Sequence, residues 1–127
     1  MGEILLIAAD WRFRALVRAQ LLEEGFQVRA LPALEIALSH LTAGGERPGL
    51  IILDTLGVEF DGQAVSELWQ LSAQAPLILC QGAWSRMDVC QEGLAAARVL
   101  RRPFRVGDLV EEVRRNWVCV KGDVVPR

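Results

Sequence analysis

The chain has 127 residues, of which 52% are hydrophobic, and a formal charge of −2. That length supplies one domain with a full core and excludes a disordered chain, while the near-neutral charge gives no field to gather nucleic acid or an anionic lipid surface. No apolar run approaches the roughly 20 residues of a membrane span, and the amino terminus opens straight into a strand rather than an export signal, so the expected location is the cytoplasm.

Residues 3–8 predict a buried first strand, Ile4-Leu5-Leu6-Ile7 leading into Ala8-Ala9-Asp10. Residues 11–24 predict helix one, with Phe13, Leu16, Val17 and Leu21 on its inner face and Gly25 as a left-handed cap. Strand two is expected over 26–30 and helix two over 32–43, where Ala33, Ile36, Ala37 and Leu41 carry the apolar period. His40 falls late in that helix as a partly exposed surface residue. The loop from Gly44 to Pro48 precedes strand three over 50–53, an unbroken apolar run that stops at Asp54. A strand buried on both faces that ends in a carboxylate delivers it to the lip of a parallel sheet.

Helix three is predicted over 62–73 with Val65, Leu68, Trp69 and Leu71 inward, strand four over 76–80 and a weaker helix four over 85–94. A short strand five over 98–100 follows. Helix five, with Val106, Leu109, Val110, Val113 and Trp117 inward, reaches about Val120. Residues 1–120 thus make a single domain and 121–127 a flexible tail. Five strands alternating with five helices imply an α/β, flavodoxin-like three-layer sandwich, because each right-handed crossover lays a helix on one face of a parallel sheet. In the order 2-1-3-4-5 the strand ends gather Asp10, Asp54, Gln81 and Arg102 at one rim, beside the switch point between strands one and three.

Scarcity narrows the chemistry. There is one histidine, one lysine (Lys121) and no tyrosine, so a histidine metal pair, a histidine-based triad or a buried catalytic lysine lacks raw material and no enzyme is expected. Cys80, Cys90 and Cys119 are odd in number and set in apolar segments, which reads as small buried residues rather than a disulfide frame or metal site.

The strand-three acid with Asp61-Gly62 seven residues on, Arg102-Pro103-Phe104 after strand five, and Glu24-Gly25-Phe26-Gln27-Val28 entering strand two resemble the receiver domains of two-component response regulators (CheY-like). The likeness spans about Glu3 to Trp117. It implies that Asp54 stands at the position that accepts a phosphoryl group from a histidine kinase, with Mg²⁺ held by it and by an acidic pair after strand one. It also implies a hydroxyl residue after strand four, a lysine after strand five and an aromatic on strand five. This chain departs at nearly all of these. Ala8 and Ala9 stand in the acidic pair's place, Gln81 in the hydroxyl's, Arg102 in the lysine's and Val99 in the aromatic's, and Val58 replaces a proline.

Loss of two carboxylates removes most of the charge a hard cation needs, leaving Asp10 and Asp54 as the acids for any metal, and Mg²⁺ is not expected. Asp10 reads more simply as the cap of helix one. A carboxylate without its metal beside a permanent guanidinium is expected to pair with it, Arg102 through two parallel hydrogen bonds and Gln81 adding a third. Trp84 reads as a lid over the rim or an interface anchor, while Arg98, Arg101 and Arg105 read mainly as solvated or locally paired.

Three functions stay open. The first is a degenerate stand-alone receiver (a pseudo-receiver) acting by protein contact, with a histidine kinase, another signalling protein or a second copy as partner, through the family's helix four, strand five and helix five surface. The second is a working phosphoacceptor at Asp54. The third is a small-molecule binder on the same fold, against which stands Ala8-Ala9-Asp10-Trp11 where a glycine-rich phosphate loop would lie.

Overall fold

The computed structural model describes residues 2–56, 62–82 and 97–121. Its elements run β1 (Ile4–Ile7), α1 (Trp11–Glu23), β2 (Val28–Leu31), α2 (Leu34–Thr42), β3 (Leu50–Asp54), α3 (Gly62–Leu71), β4 (Leu77–Gln81), β5 (Arg98–Arg101) and α4 (Val106–Lys121). All pairings are parallel and the sheet order is β2-β1-β3-β4-β5, the flavodoxin-like arrangement. Four helices lie among the described residues, α4 being the expected helix five. The expected helix four over 85–94, together with Trp84, Cys90, Val58 and Asp61, lies outside them, as does the tail from 122 on.

Composition explains the order. β1, β3 and β4 are buried at every position and fill the middle of the sheet, whereas β2 and β5 are its partly exposed edges. Alternation along each strand divides the core in two. Ile4, Leu6, Leu50, Ile52, Ile78 and Cys80 pack under α1 and α4, against Val17, Leu21, Leu109, Val110, Val113 and Trp117. Leu5, Ile7, Ile51, Leu53, Leu77 and Leu79 pack under α2 and α3, against Leu34, Ala37, Leu41, Val65 and Leu68. Asp54 continues the Leu50, Ile52 series, so it faces the α1 and α4 side of the sheet.

Helix α1 ends in a paired cap. Gly25, at φ 95°, donates to the Leu22 carbonyl and Phe26 to that of Leu21, a geometry that favours glycine because a Cβ is strained there. Two expected inward residues point outward instead. Leu16 is 52% exposed and Ile36 45%. Period alone could not choose between neighbouring helical positions: α1 buries the Val17, Leu21 stripe and α2 the Leu34, Ala37, Leu41 stripe. Trp69 and Leu71 are half-buried beside the α2/α3 core. His40 is half-buried, its ring against Gly45.

Candidate functional site

Register builds the rim. Ile7 pairs with Leu53, Asp54 with Cys80 and Gln81 with Arg101, so the residues just past β1, those ending β3 and β4, and those just past β5 meet on one edge of the sheet. Asp54 is fully buried there, an expensive place for a carboxylate unless its charge is met.

Arg102 meets it. Nη1 donates to Oδ1 and Nη2 to Oδ2, each at 3.0 Å, and the Leu56 backbone N–H donates to Oδ1 at 3.2 Å. Both oxygens are engaged, in the parallel fork that a guanidinium makes and an ammonium cannot. The Arg102 N–H donates to the Gln81 carbonyl at 2.8 Å, anchoring its backbone to β4. Its guanidinium carbon lies 5.0 Å from the Phe13 ring centroid and 5.2 Å from that of Phe104, and these two rings meet edge to face at 6.2 Å. Helix α1 and the turn before α4 thus hold the guanidinium over Asp54, with cation–π attraction added to the ion pair. The Arg102 side chain remains 23% exposed, so one side of the pair touches water.

The neighbours follow the same electrostatics. Burial, and then the charge of Asp54, push the Cys80 thiol up to about 12, with Arg102 opposing. Thr55 ties the rim by donating from N and Oγ1 to the Cys80 carbonyl, at 2.9 and 3.0 Å. Gln81 is buried at the end of β4.

Asp10 lies apart from this pairing. It is exposed and caps α1, its Oδ1 accepting from the Arg12 N–H at 3.0 Å. The carbonyls of Ala8 and Ala9 accept from Arg14 Nη1, at 2.7 and 3.5 Å. A divalent cation fits this rim poorly. Methyl groups stand where the acidic pair is expected, a second guanidinium lies on their backbone oxygens, Asp10 serves a helix and both Asp54 oxygens face an arginine. No cluster of three potential metal ligands occurs among the described residues.

Sequence reasoning left out Arg14 and gave Phe13 and Phe104 no part in the site. Arg14 stands four residues after Asp10, one helical turn along, and that spacing is the signal that could have placed it at the rim.

No family model matches the chain, and no curated protein matches it in sequence. Solved structures do. A CheY-like response regulator receiver domain protein from Methanospirillum hungatei JF-1 superposes with a TM-score of 0.78 at 19% identity, over 96% of this chain and 98% of that one. A response regulator receiver domain protein from Clostridium thermocellum gives 0.78 at 17%, over 95% and 98%, and the signal receiver domain of a LuxO repressor protein from Vibrio parahaemolyticus 0.76 at 18%, over 94% and 92%. The chain has the receiver fold. On that fold Asp54 ends the middle strand and Arg102 follows the edge strand, so the two are brought together by topology across 48 residues of sequence.

Proposed function

We infer that the chain is a receiver-type module of two-component signalling that acts by binding a protein partner, with Asp54 held by Arg102 rather than phosphorylated. The observation that carries this reading is the two-bond fork between Arg102 and a fully buried Asp54. An acceptor carboxylate must offer an oxygen to an incoming phosphorus and another to a metal, and here both are bonded to a cation that belongs to the chain. With Ala8 and Ala9 in the acidic pair's place and Asp10 spent on a helix cap, Mg²⁺ has no carboxylate cluster to join among the described residues. The module is read as a binding protein rather than an enzyme.

The partner is a histidine kinase or another signalling protein, met in the cytoplasm. One surface proposed for it includes β5, where Arg98, Val99 and Arg101 are exposed. No helix among the described residues is long and apolar enough to cross a membrane.

Titration with Mg²⁺ and beryllofluoride, a mimic of the acyl phosphate, followed by ¹⁹F NMR tests the reading. The expected spectrum contains only free fluoride species. A bound resonance that disappears in Asp54→Asn would show a working phosphoacceptor and overturn it.

A further inference from the structure

We draw no further inference here: the strongest candidate, the outward face of α1 on which the apolar side chains of Trp11, Leu16 and Leu22 are exposed, carries nothing because nothing in the structure shows what covers it.

Discussion

Replacing Arg102 by methionine keeps an apolar side chain between Phe13 and Phe104 but removes the only cation bonded to Asp54 among the described residues. The carboxylate is fully buried, and stripping a buried ion pair of one partner costs about 3–5 kcal/mol when no water can enter. Here the Arg102 side chain is 23% exposed, so water reaches part of the vacated space and the Leu56 N–H still donates; about 2–3 kcal/mol is the expected loss. Unfolding a chain of this length carries an entropy of about 0.27 kcal/mol/K, so the melting temperature should fall by roughly 7–11 °C. Thermal unfolding by circular dichroism at pH 7 reads it. Asp54→Ala should cost less, since the freed guanidinium can turn to water, and the double variant should recover part of the loss, a coupling of about 1–2 kcal/mol. A fall below about 2 °C for Arg102→Met, or full additivity of the two losses, would refute the claim that the pair is a structural unit.

Other consequences are equally direct. Burial, and then the charge of Asp54, keep the Cys80 thiol neutral in the native state and push its pKa up to about 12, so the unfolded chain loses this proton first as pH rises; its contribution to stability is intact below about pH 9 and lost progressively toward pH 12. Denaturant titrations across that range should show a shallower alkaline decline in Cys80→Ala than in wild type, and an equal slope would contradict the assignment. A Cβ on buried Gly49 would lie 2.7 Å from the Trp117 ring, so Gly49→Ala should lower stability by about 1–3 kcal/mol, measurable by urea unfolding. Mg²⁺ at 10 mM should leave the wild-type melting temperature unchanged. The triple variant Ala8→Glu, Ala9→Asp, Arg102→Lys should instead gain about 1.4 kcal/mol, or roughly 5 °C, if it forms a millimolar site.

Much of the fold was legible because its middle strands are apolar throughout. Ile4-Leu5-Leu6-Ile7, Leu50-Ile51-Ile52-Leu53 and Leu77-Ile78-Leu79-Cys80 can exist only as strands covered on both faces, and the helices between them fix parallel order. Helix faces were less legible. Leu16 and Ile36 satisfy the same spacing rule as their buried neighbours, and only packing against the sheet decides which stripe goes inward. At the rim, Asp54 and Arg102 announced themselves by residue type and position relative to strand ends. Arg14 did not, because an arginine in a first helical turn reads as solvated until the carbonyls of Ala8 and Ala9 are seen beneath it. The stacking of Phe13 and Phe104 on Arg102 likewise depends on α1 and the turn before α4 converging, a tertiary fact with no local signature.

The proposed closure of Asp54 to phosphoryl transfer rests on its two bonds to Arg102. Intact-mass spectrometry after incubation with acetyl phosphate and Mg²⁺, run beside Asp54→Asn, tests it most directly. An unchanged mass is expected in both proteins. A phosphoryl adduct on wild type that is absent from Asp54→Asn would contradict it.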